Sequence, residues 1–358
     1  MLGIVGLMGL TGCSADTEPT EREWTTVQVM SYVSGLEDLE RTRSTWTPPS
    51  GYVAYEGGDK SIGIAFTQNS EAPKMGTFFK SGSQWRTTVE DITAADYYLY
   101  GYIPYLTAIR FSVTDREGNN AKYNEGAKVK MENVPSVMPG DLCVVIGAKQ
   151  GTDKVTVSGL RMGDFKYTAS ASETGNYVFL LFDHLYAALR VNMNVNGDYN
   201  KLRHIKLKSM QMKTQVGESV TKQKMNITVD LRATDGSSSP INEISYEQTG
   251  SDIETGIEFW SDTNGEQLTT TPKTFLGHFM PQDVTTLILT SVYDVYDTHD
   301  NLVRKDCMAT NTILLSELLT DQTKTLRGRR YTVNMTVHPT YLYVLSEPDL
   351  DSPTITVN

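Results

Sequence analysis

The sequence predicts an all-β protein built from antiparallel sandwiches, on three observations. Apolar residues recur with a period near two along almost the whole body of the chain, turn-forming clusters interrupt these runs at short intervals, and only two short stretches are helix-like. The first run, Trp24–Val33, places Val27, Val29 and Val33 on one face of a strand. Tyr97–Ile103, Leu142–Ile146 and Val155–Leu160 follow, rich in the β-branched and aromatic residues that suit a pleated, half-buried surface. Ala188–Val195, Asn226–Leu231, Thr286–Tyr296 and Tyr331–Val337 repeat the pattern in the second half. Turns are marked by Pro48-Pro49, Gly57-Gly58, Glu117–Asn120, Pro139–Asp141, Asp235–Ser237 and Thr263–Gly265. The helix-like pieces are Asp183–Ala188 and Leu315–Thr320, and no repeat of solenoid length is visible. A length of 358 residues suits two domains. The small, polar stretch Phe165–Gly175 places their boundary near residue 170, giving a leader over 1–13, an N-terminal domain over 14–170 and a C-terminal domain over 171–358.

Composition narrows the function classes. With 39% hydrophobic and 21% charged residues, the chain can bury ordinary cores. Acidic residues outnumber basic ones by 43 to 32, a formal charge of −11, so the average surface repels phosphate polymers and nucleic acid is not an expected partner. Three cysteines and five histidines exclude a disulfide scaffold and most zinc arrangements. Cys143 and Cys307 lie beside apolar residues and are expected to be buried free thiols.

No motif announces catalysis: G-x-S-x-G, H-E-x-x-H and the phosphate-binding loop are all missing from the sequence, and His184, His204, His278 and His338 stand apart. A non-enzymatic protein without cofactor or metal is the expectation. The densest oxygen-ligand cluster, Asp294 to Asn301, has a calcium-binding composition but reads better as a hairpin turn between two alternating strands. Asn226-Ile-Thr228 and Asn334-Met-Thr336 match glycosylation sequons and are read as strand residues. Aromatic residues cluster at Trp46 with Tyr52 and Tyr55, at Trp85, at Tyr97–Tyr105 and at Trp260. Such platforms can stack on sugar rings, which makes a monomeric surface glycan-binding lipoprotein the alternative function, with Trp46, Trp85 and Trp260 as its platforms. Tyr98, Tyr100 and Tyr102 alternate onto one face and read as inter-sheet packing.

Met1–Leu10 is apolar and of signal-peptide core length, too short to span a bilayer. It runs into Leu10-Thr11-Gly12-Cys13, which resembles a bacterial lipobox and makes Cys13 the expected site of lipidation. No Lys or Arg precedes the apolar run. The following Ser14–Glu18 is polar and acidic, similar to the segment that sends Bacteroidetes lipoproteins to the cell surface.

Three further stretches resemble the Bacteroidales fimbrillin family, lipoprotein subunits of type V pili. They are Tyr97–Pro104 downstream of Trp85, Asp183–Val191, and Tyr331–Tyr343 continuing to Asp351. The resemblance implies two tandem transthyretin-like antiparallel β-sandwiches, export to the outer-membrane surface through a lipid anchor, and polymerisation with other pilus subunits by strand exchange. It also implies an arginine-specific protease that cuts after the first strand, for which Arg41 and Arg43 are the matching positions, and adhesion to a host glycan or protein. The residues favour the same scheme. Leu36–Pro49 is charged and proline-ended, as exposed loops are. Loss of the strand bearing Val27, Val29 and Val33 would uncover an apolar groove and unpaired backbone groups that a neighbour's strand can refill. The donor candidate is the C-terminal arm carrying Ile355 and Val357 behind Pro348 and Pro353, although the same arm could close its own domain. The sequence leaves stalk, tip and anchor roles undistinguished.

Overall fold

A computed structural model describes residues 26–34, 37–38, 52–54, 60–151, 159–169, 177–281, 283–318, 324–339 and 348–357. Cys13, Arg41, Arg43 and Trp46 lie outside the described residues. The chain begins with β1 (Thr26–Ser34), β2 (Glu37–Asp38) and β3 (Tyr52–Ala54). Then come β4 (Ile62–Thr67), β5 (Lys74–Ser81), β6 (Gln84–Thr87), β7 (Asp96–Ile103) and β8 (Arg110–Asp115). β9 (Gly126–Pro135), β10 (Val137–Met138), β11 (Cys143–Gly151) and β12 (Lys166–Thr168) follow, and β13 (Tyr177–His184) leads directly into β14 (Ala187–Val195). After the one-turn helix α1 (Gly197–Asn200) come β15 (His204–Val216), β16 (Ser219–Val220), β17 (Lys222–Arg232) and β18 (Ile241–Asp252). β19 (Ile257–Leu268), β20 (Lys273–Phe279), β21 (Thr286–Tyr296) and β22 (Leu302–Leu314) precede α2 (Leu315–Leu318), β23 (Arg329–Pro339) and β24 (Pro348–Val357).

The protein is all-β, as its period-two patterning predicts, and its strands form four sheets among the described residues. The first runs in the order β11-β13-β1-β6-β5-β4-β7-β12, with β3 also on β1. Cys143 and Val144 of β11 pair with Ile103 and Tyr102 of β7, so this sheet curls round and meets itself. The second runs β10-β20-β14-β23-β2 with β24 on β23, and the third β16-β15-β21-β22 with β19 on β15. The fourth, β18-β17-β9-β8, draws two strands from each half of the chain.

Packing makes sandwiches of these layers. Phe111 of β8 meets Tyr102 of β7 with ring centroids 5.1 Å apart, and the Tyr100 hydroxyl donates to the Tyr123 carbonyl at 2.6 Å, which seats the fourth sheet on the first. Trp260 of β19 stands edge-on to Phe275 of β20 at 4.7 Å, joining the third sheet to the second. Both faces of β7 are covered over most of its length, so Tyr100 and Tyr102 are core residues while Tyr98 is half-buried.

The halves are welded rather than strung. β9 and β17 pair from Gly126↔Arg232 to Pro135↔Lys224. Arg116 clamps the joint, donating from Nε to Asp230 Oδ1 at 2.8 Å and from Nη2 to Oδ2 at 2.9 Å. The Tyr186 hydroxyl donates to the Pro135 carbonyl, and the Tyr246 hydroxyl to the Leu185 carbonyl at 2.7 Å.

One sequence expectation differs from this picture. Asp183–Ala188 is not helical: it holds the end of β13, the reversal at Leu185-Tyr186 and the start of β14. Its apolar spacing imitates a helix because most of β13 and the first three residues of β14 are buried without alternation. β13 pairs with β1 and β11 in the first sheet, and the chain crosses to the second sheet at Leu185-Tyr186.

Candidate functional site

The first strand occupies an unusual seat. β1 runs parallel to β13, from Gln28↔Tyr177 to Val33↔Phe182. On its other side it is antiparallel first to β6, with Val27 opposite Trp85, and then to β3, with Val33 opposite Val53. A parallel partner so far along the chain cannot belong to a hairpin; it is a strand slotted between elements that the rest of the chain supplies. The curl of the sheet makes this slot important. β13 is held on one side by β11 and on the other by β1, so withdrawing β1 would leave one backbone edge of β13 unpaired along its length.

Alternation sends Val27, Val29, Ser31 and Val33 to the same face. Val29 is 7% exposed and Val33 6%, both within the main apolar cluster. Val27 is placed by its backbone pairing alone, because its side chain is outside the described ones. Ser31 sits between the two buried valines, and its Oγ is buried with no hydrogen-bond partner among the described residues. An unsatisfied buried hydroxyl costs about 1–3 kcal/mol, so β1 fills its slot imperfectly. Ser31→Ala is expected to raise the stability of the intact chain by about 1 kcal/mol, read from the denaturant midpoint at unchanged slope. A lower midpoint would show that the hydroxyl has a partner.

The segment continues beyond the first sheet. Glu37 and Asp38 of β2 pair in parallel with Arg329 and Arg330 of β23, so Thr26–Asp38 contributes strands to both sandwiches. The C-terminal arm uses the same strand. β24 lies antiparallel on β23, with Ile355 opposite Met335 and Val357 opposite Val333, and the ladder shifts between Thr336 and His338. Since β14 occupies the inner side of β23 from Ala188↔Arg330 to Val195↔Val337, both β2 and β24 border its outer edge. Ile355 and Val357 are therefore docked on their own domain in this structure.

Other sequence candidates find structural employment. Trp85 is 6% exposed and so offers no open face for a sugar, whereas Trp260 is half-buried with a T-shaped contact to Phe275. The oxygen ligands of the Asp294–Asn301 stretch are spent on a turn. Asp297 Oδ1 accepts from the backbone N–H groups of His299 and Asn301 at 2.8 and 2.9 Å, and Oδ2 accepts from Asn301 Nδ2 at 2.9 Å. The Asn301 side chain, with the backbone donors behind it, holds the Asp297 carboxyl below its ordinary range. Asp294 Oδ1 accepts from the Asp306 N–H at 2.8 Å. Cys143 and Cys307 are free thiols, Cys143 fully buried and Cys307 only half-buried because edge strand β22 leaves it partly uncovered. One grouping escaped sequence reasoning: Asp141, Cys143 and His184 converge at the junction of β11 and β13. Its only local signal is the D-x-C spacing; the histidine arrives through strand register.

No protein-family model and no curated protein matches the chain. Among solved structures it is similar to a candidate cell adhesion protein from Bacteroides uniformis, at 11% identity and TM-score 0.36 over 95% of this chain and 99% of that one. A candidate cell adhesion protein from Bacteroides fragilis gives 8% identity and TM-score 0.42 over 93% and 97% of the two chains. A fimbrial protein from Bacteroides vulgatus gives 12% identity and TM-score 0.33 over 93% and 99%.

Proposed function

We propose that the chain is an adhesive, structural subunit of a cell-surface fimbria, exported as a lipoprotein anchored through Cys13 and joined to its neighbours by exchange of β1 for an arm of another subunit. The observation that carries this reading is the seat of β1: a strand in the interior of a curled sheet, parallel to β13, with Val29 and Val33 in the core. Each buried valine contributes about 1.5–3 kcal/mol. Ladder hydrogen bonds to β13, β6 and β3 add roughly 0.5–1.5 kcal/mol apiece. Cutting after Arg41 or Arg43 would sever the covalent link between β1 and the rest of the chain. The strand would then leave as a unit, uncovering the β13 edge and, through β2, the start of the β23 edge. An arm from a second subunit gains what the departing strand lost, and gains more if it carries an apolar residue where Ser31 leaves a hydroxyl unsatisfied. A joint of this kind is locked kinetically, because its backbone bonds must break together before water replaces them. The arm with Ile355 and Val357 is the donor in this scheme, and its two prolines, Pro348 and Pro353, favour release from β23.

The test is limited digestion of the purified full-length chain with a trypsin-class protease, followed by electrophoresis in SDS without boiling. The expected outcome is a ladder of polymers that boiling collapses, and a monomer band only for the chain carrying Arg41→Ala and Arg43→Ala. A chain that is cut after residue 41 or 43 and stays monomeric sinks the reading.

A further inference from the structure

Asp141, Cys143 and His184 each present one ligand atom, and the three atoms lie within 4.8 Å of one another. Strand register produces the grouping. Cys143 is directly opposite His184 in the β11–β13 ladder, and Asp141 stands two residues before Cys143 in the turn that leads into β11. Asp141 Oδ2 is 2.5 Å from His184 Nδ1, and Cys143 Sγ is 3.7 Å from the same nitrogen. Cys143 is 0% exposed and His184 2%.

This is not the geometry of a nucleophile with its base. A thiol–imidazole–carboxylate relay places the thiol and the carboxylate on opposite ring nitrogens, whereas here both face Nδ1. Three potential ligand atoms of different chemistry, all within 4.8 Å of one another, are what a metal ion collects. We propose that Asp141 Oδ2, Cys143 Sγ and His184 Nδ1 form a binding site for a divalent zinc-like cation at the seam between the first sheet and the rest of the molecule.

Ligand distances of about 2.0 Å to nitrogen and oxygen and about 2.3 Å to sulfur put tetrahedral ligand atoms roughly 3.3–3.5 Å apart. The sulfur–nitrogen spacing is close to that already. The carboxylate has to open by under about 1 Å, and Asp141, on a turn with a partly exposed side chain, is the ligand with room to do so. Sulfur and imidazole donors select zinc over calcium or magnesium, which take oxygen. Charge closes as well: a thiolate and a carboxylate neutralise a divalent ion. The adjacent Arg327 is already neutralised by Asp183, whose Oδ2 accepts from Arg327 Nη1 at 2.6 Å. On loading, the thiol proton is released to solvent, and the imidazole proton moves from Nδ1 to Nε2 so that Nδ1 is free for the metal. A supporting shell is present: Asp183 Oδ1 accepts the His184 N–H at 2.9 Å, and Arg327 Nη1 donates to the His184 carbonyl at 3.0 Å. These contacts fix the ligand's backbone from both sides.

The experiment strips the full-length protein with a chelator and titrates it with Zn²⁺, and separately with Co²⁺ as a spectroscopic substitute. The expected result is one zinc per chain, a rise in the unfolding midpoint, and a near-ultraviolet sulfur-to-cobalt absorption. Cys143→Ala abolishes that absorption, Cys307→Ser leaves it intact, and Asp141→Asn weakens Zn²⁺ binding by about 100-fold or more, since even supporting-shell changes cost 10–100-fold. Asp141→Asn, at the partly exposed position, decides the matter should the core variant Cys143→Ala fail to fold. The proposal is overturned if the stripped wild-type chain takes up no stoichiometric zinc, if the cobalt band is missing or follows Cys307, or if Asp141→Asn binds as tightly as the wild type.

Discussion

Val29→Asp combined with Val33→Asp is expected to expel β1 from its slot and lower the unfolding free energy by about 5 kcal/mol. Each substitution forfeits roughly 1.5–3 kcal/mol of apolar burial. Each also sets a carboxylate where neighbours such as Phe182 and Leu180 offer no partner, so the chain relieves the cost by giving up the strand. At roughly 2–4 °C per kcal/mol, the midpoint falls by about 10 °C or more. Hydrogen exchange separates this from general damage. Amides along Gln28–Val33, and those of Tyr177–Phe182 that face them, lose protection, while β15 and β21 in the third sheet keep theirs. Met308→Asp, at a site 62% exposed, is the matched control and should change stability by under about 0.5 kcal/mol. Equal losses in the two variants would mean that β1 is not seated in the core.

Gly126→Ala is expected to weaken the weld between the sandwiches by about 3 kcal/mol. Gly126 opens β9 at φ 127 and ψ −174, a region that side-chain-bearing residues scarcely enter. An added Cβ would lie 2.1 Å from the Leu231 carbonyl oxygen, a backbone atom of the facing strand that cannot yield without parting β9 from β17. Gly82→Ala provides the comparison: its φ is +60 and nothing lies within 4 Å of the added atom, so the cost is about 1–2 kcal/mol of backbone strain alone. Denaturant midpoints measured side by side test the ranking, and a Gly126 variant no worse than the Gly82 variant contradicts the account of the joint.

How much of this was legible beforehand depends on whether a feature is local. Alternation and turn chemistry are local, and they give the all-β class, the hairpin at Asp297–Asn301 and the strand character of Thr26–Val33. Strands buried on both faces lose the alternation that identifies them, so Asp183–Ala188 imitated a helix and the tyrosines of β7 suggested one packed face where two exist. Partners chosen at long range leave no trace in composition. Nothing in Gln28–Val33 names Tyr177–Phe182 as its parallel neighbour, and nothing in Asp141-x-Cys143 names His184. The shared sheet of β8, β9, β17 and β18 was hidden for the same reason.

The account stands or falls on whether β1 is a separable occupant of a slot that the remainder of the chain holds in shape. The direct measurement is fluorescence anisotropy of a labelled peptide spanning residues 26–34, titrated with a chain lacking residues 1–38. Saturable binding that is lost when the peptide carries aspartate in place of Val29 and Val33 is the predicted result. A shortened chain that is stable and monomeric and ignores the unmodified peptide would contradict it, because the sheet would then be complete without its first strand.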